Sequence, residues 1–276
     1  MISLTCDVPV SLRTALKARA LATGQSEPQL VITALSEYLA QPIHTLFQVS
    51  TSGALVAGIY SGMISCATIL RHGDFGLGTF ANLDGEMIVV DGRVYRIQGS
   101  GRVTEAARDV EAPFAVVTWF EPETEVSITD VSGYKALETR CDEFRRSGNI
   151  FYALRLDGHF KRVRTRAVNP PQPGTRLAAA AKAQSEFSFS EIDGSLIGLW
   201  SPGFSSAFSV AGYHFHLLSD DRCHGGHVLD VQADRLQLKI EPLTDFRLAL
   251  PESESFLKAD LSKSTAEELT YAEQAH

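Results

Sequence analysis

The segment between residues 212 and 230 constrains the fold more than any other part of the sequence, because it holds four of the eight histidines. Side chains alternate along a strand, so His214 and His216 project from the same face. The polar, glycine-containing loop at 220–226 can return the chain as an antiparallel strand that carries His227. The segment therefore predicts a β-hairpin with three imidazoles on one side.

These histidines are candidate metal ligands. Three converging imidazoles that leave a fourth ligand position open are typical of a catalytic zinc site. The alternative is a pair of packed histidines beside a polar loop, which an isolated His-x-His would favour. A third histidine across the hairpin favours a metal centre at His214, His216 and His227. Cys223 and His224 have suitable side chains but lie in the loop, where they are less well placed.

Most of the chain after residue 43 has β-type patterns. Asp-Gly pairs, which are typical of tight turns, occur beside β-type runs at residues 84–85, 91–92, 157–158 and 193–194. The clearest hairpin joins strands at Glu86–Val90 and Arg93–Ile97. Helices are predicted at 130–147 and 176–184, on either side of a proline-rich connector at 169–174.

Residues 1–42 have a different pattern. An apolar–polar alternation at 1–6 predicts a strand, and residues 10–22 predict a helix that Gly24 ends. Ser26 and Gln29 then form the capping box of a second helix. This β-α-α order resembles a ribbon-helix-helix module, two copies of which swap strands into one ribbon.

In the ribbon-helix-helix family, the outward side chains of the ribbon read DNA. Here they are Ser3 and Thr5, and the strand contains no Arg or Lys. The resemblance therefore favours a homodimer through residues 1–42, with DNA binding as the less favoured alternative. A third alternative is a helical hairpin that packs on its own catalytic domain, residues 43–276.

The net charge and the cysteine content indicate which binding partners and which cellular compartment are favoured. With 25 basic and 33 acidic residues, the chain has a net charge of −8, which disfavours nucleic acid without a local basic surface. Four scattered cysteines and no secretory signal pattern favour the cytoplasm. The uncharged stretch at 50–70 is interrupted by Ser, Thr and Gly, so it favours a buried helix or strand over a membrane span.

Two further features carry candidate chemistry. Glu86 follows a tight turn and heads an apolar run, where a buried carboxyl is a candidate proton donor; the alternative is a solvated strand end. Thr79 offers a hydroxyl nearby. Arg162, Arg164 and Arg166 share one strand face, so one of them can hold an anionic substrate while at least two are expected to be solvated.

Together, these segments resemble the α-acetolactate decarboxylase family over residues 46–273. The motifs are HGDFGLGTF at 72–80, LDGEMIVVDG at 83–92, PFAVVTWF at 113–120, ALRLDGHFKRVRTRAV at 153–168, AGYHFHLLSDDRCHGGHVLD at 211–230 and ALPESESFLKADL at 249–261. The resemblance implies an α+β fold with two mainly antiparallel or mixed β-sheet units and flanking helices. The N-terminal module, Ser61-Gly62 and His224 depart from the family pattern.

The resemblance also implies an activity and a site. The activity is conversion of 2-acetolactate to acetoin and carbon dioxide at a zinc ion. The implied zinc ligands are His214, His216 and His227. The implied roles are Glu86 as acid/base group, Thr79 beside it, Arg166 as carboxylate anchor, and Glu273 as a tail glutamate at the metal, with Glu267 and Glu268 as competitors. The rival hypotheses are a transcriptional regulator that uses the domain as a small-molecule sensor, and an enzyme for a related branched 2-hydroxy-3-keto acid.

Overall fold

The contacts within the chain separate it into two units, Met1–Ile43 and His44–His276. The structure is a computed structural model that describes residues 4–39, 43–172, 174–262 and 268–269. Among the described residues, no helix is both long enough and apolar enough to cross a membrane.

The first unit contains the two helices predicted from its sequence, α1 (Val10–Thr23) and α2 (Glu27–Tyr38). Gly24 ends α1 in the left-handed conformation, with φ of 72°. The capping box is present, because Gln29 N donates to Ser26 Oγ at 3.3 Å and Ser26 N donates to Gln29 Oε1 at 2.9 Å. These local predictions are confirmed.

The strand predicted at residues 1–6 is not formed by its described part. Residues 4–9 have no regular secondary structure, and residues 1–3 lie outside the described residues. A strand needs a neighbour to accept and donate its backbone hydrogen bonds, and a swapped ribbon takes that neighbour from a second chain. The ribbon-helix-helix character of this unit stays a prediction.

The second unit is built mainly from strands. In the described residues these are β1 Thr45–Val49, β2 Ile64–Ser65, β3 Phe75–Thr79, β4 Glu86–Val90, β5 Arg93–Ile97, β6 Val103–Glu105, β7 Glu111–Ala112, β8 Phe114–Thr118, β9 Thr124–Val131, β10 Phe151–Ala167, β11 Ser185–Ser201, β12 Gly212–Ser219, β13 Gly225–Leu243 and β14 Asp245–Ala249. The helices are short: α3 Ser52–Val56, α4 Cys66–Ile69, α5 Tyr134–Asp142, α6 Leu177–Ala181 and α7 Glu254–Lys258.

Two large sheets organise these strands. The first has seven strands in the order β14-β1-β8-β3-β4-β5-β6, and only the β1–β14 pair is parallel. The second has the order β10-β11-β12-β13-β9, and an additional β10–β13 pairing closes it on itself. Two mainly antiparallel sheets with short helices agree with the predicted α+β class.

The largest hydrophobic cluster joins the two sheets. It contains Leu77 and Ile88 from the seven-stranded sheet together with Ala153 and Ile197 from the five-stranded sheet. All residues of β1, β3, β4 and β8 are buried, as expected for strands covered on both faces. The uncharged stretch at 50–70 supplies α3, β2 and α4, and most of α3 is part of this interior, as predicted.

Several local predictions are confirmed and others are wrong. The hairpin β4–β5 has the predicted bounds. The Asp-Gly pairs at 157–158 and 193–194 are not turns, because they face each other inside β10 and β11. The glycine at 194 is needed there for close approach, since a Cβ would lie 2.7 Å from the Leu218 carbonyl oxygen.

The two predicted helices of this unit are shorter than expected. Residues 130–131 belong to β9, where Val131 pairs with Ala233, so α5 begins only at Tyr134. Likewise α6 occupies only Leu177–Ala181 within the predicted 176–184. At residues 130–131, hydrogen bonding to a distant strand outweighs local helix propensity. After α6 the chain continues in local turns, with Ala183 N donating to the Ala180 carbonyl at 3.0 Å.

Gly198→Ala is expected to destabilise the protein. Gly198 pairs with the fully buried Phe215, and an added Cβ would lie 2.1 Å from a ring carbon of that residue. Overpacking of this kind costs about 1–3 kcal/mol. The matched control is Gly148→Ala, since nothing lies within 4 Å of a Cβ there. Denaturant unfolding of both variants measures the difference; equal midpoints would contradict the expectation.

Candidate metal centre and its cavity

Strand pairing brings the three predicted histidines together. His214 and His216 lie on the same face of β12, and His227 of β13 is directly opposite His216. His214 Nε2 is 3.1 Å from His216 Nε2 and 3.0 Å from His227 Nδ1. All three ligand atoms lie within 4.8 Å of one another. The hairpin predicted from the sequence is therefore confirmed.

A contact between the two sheets orients His216. Its Nδ1 is 3.0 Å from the carbonyl oxygen of Met87 on β4. A carbonyl only accepts, so Nδ1 carries the proton and donates it. The lone pair of Nε2 then faces His214 and His227. Hydrogen bonds of this kind fix the tautomer and ring orientation of histidine ligands.

Burial holds His214 and His216 in the neutral form that binds metal ions. Burial lowers the pKa of His214 to about 3, and the positive charge of Arg166 lowers this pKa further. Burial lowers the pKa of His216 well below its usual value, with a smaller contribution from His214. Neutral imidazoles need no deprotonation before they bind a cation.

The spacing of the nitrogens also fits a metal ion. Ligands about 2.0–2.1 Å from a tetrahedral zinc ion are about 3.3 Å apart. The two separations from His214, 3.0 and 3.1 Å, are close to that value, and the three ligand atoms all lie within 4.8 Å of one another. His224 and Cys223 are exposed, and His224 Nδ1 lies 3.7 Å from Asp221 Oδ1 instead. Three histidines can thus hold a metal ion, with neither loop residue involved.

Glu86 lies beside the histidines. It is 8% exposed, so the alternative of a solvated strand end is wrong. Its Oε1 accepts from Val168 N at 3.3 Å, and its Oε2 is 3.8 Å from His216 Nε2. Thr79 pairs with Glu86 across β3 and β4, and its hydroxyl donates to the Gly85 carbonyl at 2.9 Å.

Arg166 is the buried member of the arginine series. It is 4% exposed, whereas Arg162 is exposed and Arg164 is half-buried. A register shift between residues 164 and 165 separates Arg166 from the outer part of β10, and Arg166 pairs with His227 on β13. Its Nη1 donates to Gln184 Oε1 at 2.6 Å. Gln184 was not identified from the sequence, because no local pattern connects it to Arg166.

These residues line one cavity of about 50 Å³. Its polar wall contains Ser52, Thr79, Glu86, Arg166, His214 and His227. Its apolar wall includes Leu55, Leu83, Phe114, Leu177, Val210 and Leu269. Ser52 and the apolar wall could not be identified from the sequence, since they come from segments that only tertiary packing brings together. A small, partly apolar space with a few charged groups suits a short anionic molecule.

Of the three candidate glutamates that the sequence offers near the C-terminus, only Glu268 lies within the described residues. Glu268 pairs with Arg176, whose Nη2 is 3.0 Å from both carboxylate oxygens. The next residue, Leu269, is 4% exposed and reaches the cavity wall. Glu267 and Glu273 lie outside the described residues. The C-terminal segment therefore does reach the cavity, but through a leucine in its described part.

A buried carboxylate, a buried guanidinium and three converging imidazoles around one cavity are typical of an enzyme with a metal-ion centre. Comparison with known proteins gives the family. The model of the alpha-acetolactate decarboxylase family matches residues 46–263, and the chain belongs to this family.

Relatives and solved structures agree with this assignment. The alpha-acetolactate decarboxylase of Brevibacillus brevis is 38% identical over 233 residues, which cover 84% of this chain and 82% of that protein. The enzyme of Methylococcus capsulatus is 38% identical over 231 residues, covering 83% and 89%. The crystal structure of alpha-acetolactate decarboxylase from Bacillus subtilis strain 168 has a TM-score of 0.80 at 33% identity, covering 83% of this chain and 99% of that one.

Proposed function

We propose that this protein converts 2-acetolactate, 2-hydroxy-2-methyl-3-oxobutanoate, to acetoin and carbon dioxide. The observation that carries the proposal is the cavity lined by His214, His227, Glu86 and Arg166, with His216 directly behind these histidines, in a chain of this family. Each of these groups matches one requirement of the reaction.

Arg166 provides the site for the carboxylate of the substrate. Its guanidinium is buried in the cavity wall, where an ion pair is weakly screened by solvent. Gln184 holds one of its nitrogens, which limits the orientations of the guanidinium. A planar guanidinium binds a carboxylate through two parallel hydrogen bonds, so Arg166 orients the bond that breaks.

Decarboxylation breaks the bond between the carboxyl carbon and C2. Its electron pair moves onto the neighbouring ketone, which becomes an enediolate, and carbon dioxide leaves. His214, His216 and His227 would hold a zinc ion, which would supply Lewis-acid stabilisation of this oxygen charge. Glu86 then delivers a proton to C2, which yields acetoin. Because Glu86 lies on one side of the cavity, protonation is expected from one face.

Acetoin release from fresh racemic acetolactate tests the function. We expect rapid production by the zinc-loaded protein compared with spontaneous decay, and loss of this production after chelation. Absence of acceleration with metal bound would contradict the function and support the sensor hypothesis. The presence of the candidate acid, anchor and histidines in one cavity supports the enzyme over the sensor.

The first unit is proposed to form a homodimer. Leu12, Leu21 and Ile32 are exposed on its helices, and a second copy of the same unit would cover such apolar side chains. Deletion of residues 1–42 is expected to convert a dimer into a monomer, as measured by sedimentation equilibrium, and to leave acetoin production intact. A shortened protein that is still a dimer would contradict dimerisation through this unit. DNA retardation by the full chain alone would support the alternative of DNA binding.

The compartment is proposed to be the cytoplasm. All four cysteines are free: Cys6 and Cys223 are exposed, and Cys66 and Cys141 are buried. Free exposed thiols are compatible with a reducing environment. Fractionation of cells that produce the protein tests this location.

A further inference from the structure

Ser52 has a hydroxyl in the cavity wall to which the reaction above gives no role. The residue is 0% exposed and lines the same cavity as Glu86, Arg166 and His214. Its Oγ has no hydrogen-bond partner among the described residues. A buried hydroxyl without a partner raises the free energy of the folded protein, because it has given up its hydrogen bonds to water. A ligand that accepts its proton would recover that loss.

The Ser52 hydroxyl is not needed for the local structure. Ser52 is the first residue of α3, but the capping role belongs to Thr51, whose Oγ1 accepts from Ala54 N at 3.1 Å. The Ser52 backbone is held separately, because its N–H donates to the Phe208 carbonyl at 3.0 Å. The side chain is thus positioned by a fixed backbone and is not required for the helix.

The other hydroxyl in the cavity wall is already engaged. Thr79 donates its proton to the Gly85 carbonyl at 2.9 Å. Glu86 is engaged as well, because its Oε1 accepts from Val168 N at 3.3 Å. Ser52 therefore offers a neutral donor that no described side chain or carbonyl uses, beside the charged groups that line the same small cavity.

We propose that Ser52 is a substrate-binding residue whose hydroxyl donates a hydrogen bond to an oxygen of the bound 2-hydroxy-3-keto acid. The inference rests on the proposed function for its substrate class. Such an acid carries four oxygen atoms, each able to accept, on a skeleton short enough for this cavity. No described protein atom competes for this proton, so the Ser52 hydroxyl is available to an oxygenated ligand.

Ser52→Ala separates binding from structure. The free variant loses no hydrogen bond, so its thermal midpoint is expected to equal or exceed that of the unaltered protein. Binding loses a hydrogen bond, so KM for acetolactate is expected to rise about tenfold. General structural damage would lower the thermal midpoint, so it cannot explain a higher KM together with an unchanged or higher midpoint. Unchanged KM would overturn the inference.

Thr118→Val is the matched control. Thr118 is also 0% exposed, and its Oγ1 also has no hydrogen-bond partner among the described residues, but Thr118 is not part of the cavity wall. We expect the same small effect on the thermal midpoint and an unchanged KM. An equal rise of KM in both variants would show a general effect of removing buried hydroxyls, and would overturn the role of Ser52.

A stable ligand distinguishes failure of this inference from failure of the proposed function. In 2,3-dihydroxy-2-methylbutanoate the ketone is reduced, so this acid binds without losing carbon dioxide. Calorimetry is expected to give a Kd about tenfold higher for Ser52→Ala than for the unaltered protein. If acetolactate is not turned over, the proposed function fails while the Kd comparison still decides the role of Ser52. Equal Kd values, or no binding to either protein, would overturn the inference.

Discussion

Replacing His216 with alanine is expected to abolish stoichiometric zinc binding and to lower acetoin production by more than about a hundredfold. Mutation of a residue that only hydrogen-bonds to a metal ligand already lowers metal affinity or activity by about 10–100-fold, and loss of a ligand itself is expected to have a larger effect. His216 contributes Nε2 to the cluster and is held by the Met87 carbonyl. Its removal leaves two imidazoles, too few to retain a zinc ion through desalting. Elemental analysis of the desalted protein and the initial rate of acetoin release measure both effects.

His224→Ala is the matched control for this experiment. His224 belongs to the same hairpin but is exposed and lies near Asp221, outside the cluster. We expect its zinc content and activity to match those of the unaltered protein. Because His216 is buried, circular dichroism of the variant verifies folding, and His214→Ala serves as a second test of the same cluster. Stoichiometric zinc in folded His216→Ala would contradict the ligand assignment.

Glu86→Gln is expected to retain zinc and to lower kcat by about 10²–10⁴-fold, the usual contribution of a positioned acid or base. The amide has the size of the carboxyl group, and its oxygen can still accept from Val168 N, so the local structure is preserved. It has no acidic proton to deliver to C2. Steady-state rates give the loss of turnover, and chiral gas chromatography of the acetoin shows whether protonation from one face is lost as well.

Glu105→Gln is the corresponding control. Glu105 lies on β6 of the same sheet, is exposed, and pairs with Arg93 at the surface. An exposed pair of this kind contributes little to stability, and this one is remote from the cavity. We expect unchanged rates and unchanged product stereochemistry. Full turnover by Glu86→Gln, with zinc retained in both variants, would remove Glu86 from the mechanism.

Features whose cause lies within a few residues could be predicted from the sequence. The helices α1 and α2 follow from Gly24 and from the capping box of Ser26 and Gln29, all of which are local interactions. The hairpin β4–β5 follows from its two-residue turn. The histidine cluster follows from the strand period of two and a short return loop, so local pattern alone was enough to predict its three members.

The environment of Glu86 could not be decided in this way. Glu86 contacts His216 and the backbone N–H of Val168, and both belong to segments far from Glu86 in the sequence. The sequence therefore left burial and exposure as equal alternatives. The same reason explains Gln184, which contacts Arg166 from the segment between α6 and β11.

Residue patterns were misleading where long-range pairing outweighed them. Asp-Gly at residues 157–158 and 193–194 has the composition of a turn, yet the pairing of β10 with β11 keeps both extended. Residues 130–131 are part of β9 because β13 offers backbone partners there. A sequence pattern typical of a turn or a helix reflects a small local free-energy preference. Pairing with a neighbouring strand through a row of hydrogen bonds stabilises the extended conformation by more than this preference.

The sequence by itself determined the histidine cluster, the two N-terminal helices and the family, because period, capping and motif order are properties of consecutive residues. Only the tertiary structure decided that Glu86, Arg166 and Ser52 share a cavity with His214 and His227. That cavity depends on packing between two sheets and on the register that pairs Arg166 and His216 with His227. Such contacts join residues far apart in the chain, and they form only when the whole core is assembled.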